Sequence, residues 1–253
     1  MYYIGLAVAL GLLVIKFGLP LYKKYGKIFS SFHKNPKGSN LNPKELRALQ
    51  VGAVHGEQKS FYINSLKTGI ASDVLTEMLA EGWSIRSREE AIETIQWLMT
   101  EGHRRFYPGV YSIISKGQDP IATVKSMFDE ESREKALSFC KNLKSSMGQL
   151  KEDIGASTAD YERGILAWDI SRAVLIARSC HDCGFLTEAE TWECINSADA
   201  MSREVFSSWK ELRQSLVIGR AMWNGYESHL DGFINISESL LTKEKSPWMQ
   251  YSF

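Results

Sequence analysis

Apolar residues recur three and four positions apart through most of the chain after residue 41, and this spacing predicts a domain built from helices. No run of alternating apolar and polar residues and no β-branched cluster in the sequence marks a strand. Side chains that can cap the free amides of a helix stand where several of the apolar patterns begin. These capping signals are Asn42 with Glu45, Ser87 with Glu90, Asp119 before Pro120, Asp129, Thr187 with Glu190, and Ser208 with Glu211.

The first 27 residues have a different pattern. Residues 2–22 are apolar apart from Lys16, and 21 helical residues extend about 31 Å, close to the thickness of bilayer hydrocarbon. A cleavable signal peptide would need positive charge before the apolar run and a small-x-small site after it, and the sequence has neither. A buried core helix is the other alternative. Residues 1–27 are therefore predicted to be a single transmembrane helix with a basic flank.

The lysines near this segment predict its orientation. Residues 1–37 carry six lysines and no acidic residue, and all six follow the centre of the apolar run. Positive charge collects on the cytoplasmic side of a membrane, so we predict an inner (cytoplasmic) membrane protein with its amino terminus outside. Residues 28–41 are rich in Ser, Lys, Pro, Gly and Asn, which is typical of a flexible linker. Residues 42–253 then form one all-helical domain in the cytoplasm.

The charge of that domain restricts its partners. The whole chain has 30 basic and 30 acidic residues, so the 216 residues after residue 37 have a net charge of −6. An acidic domain does not attract a phosphate backbone over long range, which argues against a nucleic-acid partner. The predicted partners are the lipid bilayer, through residues 2–22, and another protein.

Asp169 is a carboxylate within an otherwise apolar face of a helix predicted from about Thr158 to Cys180. A buried carboxylate needs a partner, and Arg172 lies three residues later on the same helix surface. Arg220, on the helix predicted from Trp209 to Trp223, is a second partner if the two apolar faces pack together. Two interpretations stay open: a buried ion pair that orients the helices, or a catalytic carboxylate.

His103 and the cysteines complete the candidate chemistry. His103 follows the helix that starts near Arg88, where a cation complements exposed carbonyl groups, so capping is its predicted role; it is also a catalytic candidate with Asp169, Arg172 and Arg220. Four cysteines are too few and too unevenly spaced for a disulfide framework. A zinc site commonly uses two CxxC pairs, and the sequence offers one. We therefore predict no metal and no cofactor, with these as the weak metal candidates: Cys180, Cys183 and Cys194.

The tryptophans allow two interpretations. Five of the seven lie in the last 90 residues, and they are either core residues or the walls of a pocket on which a ligand stacks. The sequence contains no Gly-rich phosphate loop, no HExxH and no GxSxG, so the common catalytic signatures are missing.

Several segments in a fixed order carry a family resemblance: GILAWDISRAVLIAR (164–178), CGFLTEAETWECI (183–195), FSSWKELRQSLVIGRAMW (206–223) and the final SPWMQY. With these motifs the chain resembles the bacterial domain-of-unknown-function 1266 family. The segment 82–106 looks like the upstream block of the family, and the C-terminal motifs lie within 160–251. Cys180 and Cys183 stand where the family does not typically require cysteine, and the family implies no established activity. Its typical residues fall at Trp168, Asp169, Arg172, Gly184, Glu190, Trp192, Ser208, Trp209, Gly219, Arg220 and Trp223.

Two functions stay open. The first is a non-enzymatic, membrane-tethered interaction or regulatory domain, for which the anchor, the acidic domain and the missing catalytic motifs argue. The second is an enzyme in which Asp169, Arg172 and Arg220 surround a pocket, with Asp169 as general base and an arginine holding an anionic substrate.

Overall fold

The computed structural model describes residues 32–226 and 230–253, and every regular element in these ranges is an α-helix or a 3-10 turn. The predicted all-helical class is therefore confirmed. The 3-10 turns of the described residues are Gln50–Gly52 and His103–Phe106. The α-helices are α1 (Pro43–Leu49), α2 (Ala53–Gln58), α3 (Ser72–Trp83), α4 (Arg88–Thr100), α5 (Tyr107–Ser115), α6 (Pro120–Met127), α7 (Glu130–Ile154), α8 (Thr158–Arg163), α9 (Leu166–Asp182), α10 (Glu188–Val205), α11 (Trp209–Asn224), α12 (Leu230–Thr242) and α13 (Pro247–Gln250).

The predicted anchor, residues 1–27, lies outside the described residues, as do residues 28–31 of the predicted linker. Within residues 32–226 and 230–253, no helix combines the length and the apolar character needed to cross a membrane. The transmembrane helix and its orientation therefore stay predictions.

The end of the predicted linker is attached to the helical domain. The backbone amide of His33 donates to Glu57 at 3.0 Å, and Nδ1 of the same histidine lies 3.0 Å from the other carboxylate oxygen. The amide of Asn35 donates to Oδ1 of Asn64 at 2.7 Å. Composition predicted a flexible segment here, but its polar groups find partners in α2 and in the chain that follows it, so residues 33–35 are held in place.

Helix α9 is the centre of the fold. It packs against α3, α4, α10 and α11 and against the Gln50–Gly52 turn, and every residue from Ala167 to Cys180 is buried. A helix that is covered on all sides orders the elements around it. Helix α11 packs closely on α9, because a Cβ built at Gly219 would lie 2.3 Å from Cβ of Trp168. Side chains of α9 are therefore held firmly relative to α11 and α4.

The long helix predicted from Thr158 to Cys180 is wrong in one respect, since the structure divides it into α8 and α9. Gly164 separates them with φ +87° and ψ −167°, a conformation outside the helical region that glycine adopts without a Cβ penalty. The apolar spacing continues across the break, so periodicity alone could not locate it.

The predicted capping residues begin the helices they were assigned to. Asn42 and Thr187 form complete capping boxes with Glu45 and Glu190. At Ser87 and Ser208 the hydroxyl accepts the expected amide, three residues later in the chain. The glutamate of each of these two boxes instead accepts the amide of the residue before the cap, Arg86 or Ser207. At two of the four sites, the hydrogen bond to the glutamate therefore comes from one residue earlier than in a standard capping box.

Candidate functional site

Asp169, in the first turn of α9, is completely buried and accepts four hydrogen bonds. Its Oδ1 accepts from the amide of His103 at 3.0 Å and from Nη2 of Arg172 at 2.5 Å. Its Oδ2 accepts from the amide of Arg104 at 2.9 Å and from Nη1 of the same arginine at 3.2 Å. The carboxylate therefore caps the 3-10 turn after α4 and is neutralised by two arginines.

Gly102 makes this approach possible. Its φ of +57° and ψ of −161° lie in a region that is essentially restricted to glycine. A Cβ at this position would lie 2.2 Å from Oδ2 of Asp169. The sequence EGHRR thus contains a glycine required by a carboxylate more than sixty residues away.

Arg172, one turn along α9, is the predicted partner of Asp169 and is held on several sides. Its Nε donates to the carbonyl oxygen of Trp168 at 3.0 Å, and its Nη2 donates to Asp169 and to Nδ1 of His103, the latter at 3.0 Å. Its Cζ lies 4.5 Å from the ring centre of Trp168 and 5.5 Å from that of Trp83. Burial lowers the pKa of Arg172 to about 10, which leaves the guanidinium protonated at neutral pH.

His103 does not have the capping role predicted for it. The last carbonyl groups of α4 are bound by Arg104, whose Nη1 and Nη2 donate to the carbonyls of Leu98 and Met99 at 2.6 and 2.7 Å. His103 is instead buried, with its Nδ1 accepting from Arg172, so the neutral ring carries its proton on Nε2. Burial, followed by the charges of Arg172, Lys135 and Arg105, lowers the pKa of His103 to about 3.

The lowered pKa predicts a loss of stability in mild acid. Between about pH 6.5 and pH 3 the unfolded chain binds a proton on His103 that the folded chain does not bind, so stability falls as the pH falls. His103→Asn keeps an acceptor for Arg172 without this titration. From pH 7 to pH 5, wild type should lose about 2 kcal/mol more of its unfolding free energy than the variant. Urea unfolding at both pH values measures the difference, and equal losses would show that His103 is not buried neutral.

A cavity of about 720 Å³ opens beside this cluster. Exposed polar residues lie at its rim: Gln58, Lys59, Ser84 and Glu93. Its floor is formed by buried side chains, which include the guanidinium of Arg172 and the imidazole of His103. The floor residues are His55, His103, Trp168, Arg172, Leu175 and Arg220.

His55, at the middle of α2, is a floor residue that the sequence did not single out. Its Nδ1 lies 2.7 Å from Oγ of Ser171, and its ring packs against Trp168 and Phe233 with centroid distances of 5.3 and 5.0 Å. Burial, with the charges of Arg172, Arg220 and Lys59, holds the pKa of His55 well below its ordinary value. The only sequence signal is its place between Gly52 and Gly56, small residues that allow close helix packing.

Arg220 is not the partner of Asp169. Within the described part of the chain, all hydrogen bonds of that carboxylate come from residues 103, 104 and 172, because the 3-10 turn faces it. Arg220 lies in the cavity floor with its Cζ 5.0 Å from the ring centre of Trp223. The structure therefore brings Arg172, Arg220 and His103 to one cavity, and places Asp169 behind Arg172 with no exposed surface.

The cysteines are away from this cavity. Cys180 and Cys194 are buried, which raises the pKa of each to about 12, and Sγ of Cys183 lies 3.4 Å from Oγ1 of Thr76. Among residues 32–226 and 230–253, no group of three or more potential ligands is arranged to hold a metal ion. Cys183 is the partly exposed member of the three.

Comparison with known proteins gives a family but no activity. The family model described as "Protein of unknown function (DUF1266)" matches residues 78–253, which include every described cavity residue except His55, Gln58 and Lys59. Searches of the curated proteins and of the solved structures found no match. The matched segment is well over half of the chain, so this protein belongs to the DUF1266 family.

Proposed function

We propose that the helical domain binds a small anionic molecule in the cavity over Arg172. The observation that carries this proposal is the arrangement of Arg172 itself. One edge of its guanidinium is held by Trp168, His103 and Asp169, while Nη1 has no hydrogen-bond partner among residues 32–226 and 230–253. A charged donor that is fixed in place and faces a cavity binds an anion without paying to reorganise.

The charge of the cavity lining supports an anionic ligand. Lys59, Arg172 and Arg220 contribute three positive charges, and Glu93 is the one acidic residue among the described lining residues. Asp169 does not cancel this excess, because it also binds Arg104, outside the cavity lining. The low dielectric of a partly buried site strengthens such an attraction.

Two residues of the cavity floor carry further donors. The proton of His103 is on Nε2, and the indole Nε1 of Trp168 is buried with no hydrogen-bond partner in the described part of the chain. The indole nitrogen has no accessible surface, so the N–H of His103 is the further donor in the cavity floor that favours a ligand with acceptors. Phosphate and carboxylate groups supply several each.

The size of the cavity fits a small molecule. Ligand pockets usually measure roughly 300–1,000 Å³ and combine apolar walls with a few placed polar groups. This cavity lies within that range at about 720 Å³, and four indole rings are among its described lining residues.

Asp169 acts as a positioning residue in this proposal. It has no exposed surface and both of its oxygens accept hydrogen bonds, so the role of general base considered for it has no structural support. The membrane tether and a protein partner stay predictions from the sequence, and both are compatible with a domain that responds to a bound anion.

Titration with inorganic phosphate at low ionic strength tests the proposal. The full-length chain in non-ionic detergent should show saturable quenching of tryptophan fluorescence, since four indoles line the cavity. Arg172→Lys keeps a positive charge beside Asp169 but loses the guanidinium fork, so phosphate should bind about tenfold more weakly. Lys59→Gln, at the exposed rim, should weaken binding severalfold without changing the melting temperature.

Lys210→Gln is the matched control, because Lys210 is an exposed lysine that does not line the cavity. It should leave the phosphate affinity unchanged. If Lys59→Gln and Lys210→Gln behave alike, or if quenching does not saturate, the anion does not bind over Arg172.

A further inference from the structure

Four of the seven tryptophans line the cavity that contains Arg172 and Arg220. They come from separate helices: Trp83 ends α3, Trp97 lies in α4, Trp168 is in the first turn of α9 and Trp223 is near the end of α11. Charge recognition alone does not require four indoles around an anion site. The four indoles therefore indicate that the ligand has an apolar or aromatic part besides its anionic group.

The indoles differ in what already covers them. The guanidinium of Arg172 lies over both Trp83 and Trp168. Trp97 meets the ring of His103 edge to face at a centroid distance of 5.3 Å. These three rings therefore already contact Arg172 or His103.

Trp223 is the indole with most surface left for a ligand. It packs against Trp168 at a centroid distance of 5.8 Å and is 42% exposed, although it is a large aromatic residue in a cavity wall. Arg220 lies over this ring, with its Cζ 5.0 Å from the ring centre, so a positive charge stands next to the exposed aromatic surface. A planar ring placed on Trp223 would remove this apolar surface from water next to the cations.

We infer that the ligand is an anion joined to a planar aromatic ring, with its phosphate or carboxylate at Arg172 and its ring on the indole of Trp223. This inference rests on the proposed function and deepens it by naming the ligand class. The cavity lining also includes the carboxylate of Glu93 and the hydroxyl groups of Ser84 and Thr94. These groups suit a ring whose edge carries N–H donors, as a nucleobase or an indole does.

Calorimetric titration of the full-length chain with two sets of probes tests the inference. One set is adenosine 5′-monophosphate, adenosine and inorganic phosphate; the other is indole-3-acetate, indole and acetate. At least one ring-bearing anion should bind about tenfold or more tightly than its ringless anion, the gain that stacking on an aromatic side chain provides. The set that shows the gain identifies the anionic group.

Trp223→Ala should narrow the ratio between the ring-bearing and the ringless anion to less than about threefold. Trp192→Ala is the matched control, because Trp192 is a half-buried indole of α10 that does not line the cavity, and it should leave the ratio unchanged. The melting temperature of each variant shows that it is folded.

The outcomes separate the two proposals. If phosphate and adenosine 5′-monophosphate bind equally and both depend on Arg172, and indole-3-acetate shows no gain over acetate, the inference is overturned and the proposed function stands. If the uncharged rings bind as tightly as the anions, or if no probe binds, both are overturned. A ratio that Trp223→Ala does not change also overturns the inference.

Discussion

Gly102→Ala should lower the free energy of unfolding by more than about 4 kcal/mol, the largest effect we expect of any single methyl group added to this protein. Two costs combine at this position. Alanine is strained at φ +57° and ψ −161°, and its Cβ would lie 2.2 Å from a carboxylate oxygen of Asp169. The carboxylate would have to move, and its hydrogen bonds to the 3-10 turn and to Arg172 would lengthen or break. Urea unfolding followed by far-UV circular dichroism measures the loss.

Gly148→Ala is the matched control for this substitution. Gly148 lies inside α7, no atom lies within 4 Å of a Cβ at that position, and its φ is negative. Alanine there should stabilise the protein by roughly 1 kcal/mol, through helix propensity alone. A melting temperature of Gly102→Ala within about 2 °C of wild type would show that Asp169 does not lie against this glycine.

Asp169→Asn should destabilise the protein by about 3–5 kcal/mol, the usual cost of removing one partner from a buried ion pair. The amide has almost the same shape as the carboxylate, so the loss comes from charge and hydrogen bonding. Arg172 would be left buried without its counterion, and the amide nitrogen would face donors where an acceptor is needed. Phosphate affinity should also fall, because Arg172 would no longer be held towards the cavity.

Glu101→Gln provides the comparison, since it removes an exposed carboxylate that pairs with Arg105 one turn away. Exposed pairs of this kind contribute little, and the loss should stay below about 0.5 kcal/mol. Equal losses for Asp169→Asn and Glu101→Gln would mean that Asp169 is not the buried hub of the site.

The features that depend on short stretches of chain could be predicted from the sequence. The sequence predicts the helix starts at Asn42, Asp119, Asp129 and Thr187 because each capping side chain accepts a hydrogen bond from an amide no more than three residues later. The pairing of Asp169 with Arg172 was predicted for the same reason, since residues three apart meet on a helix surface. The family resemblance was confirmed over residues 78–253.

The composition of the cavity could not be predicted, because it depends on how distant helices pack. His55 contacts Ser171 across 116 residues, and its stretch of sequence carries no chemical motif. Arg220 was placed near Asp169 because both lie on apolar faces, but amphipathicity does not specify which neighbour each face meets. Arg104, which binds both Asp169 and the end of α4, sits in a charged run that resembles an ordinary exposed segment.

The position of a bound anion is the most direct test of the site. A crystal of the full-length protein soaked in sodium selenate would locate the ion through the anomalous scattering of selenium. We predict a peak in the cavity with selenate oxygens at hydrogen-bond distance, about 2.7–3.2 Å, from Nη1 of Arg172 and close to His103 and Trp168. Peaks confined to exposed lysines such as Lys210, with none over Arg172, would contradict the proposal that this cavity binds an anion.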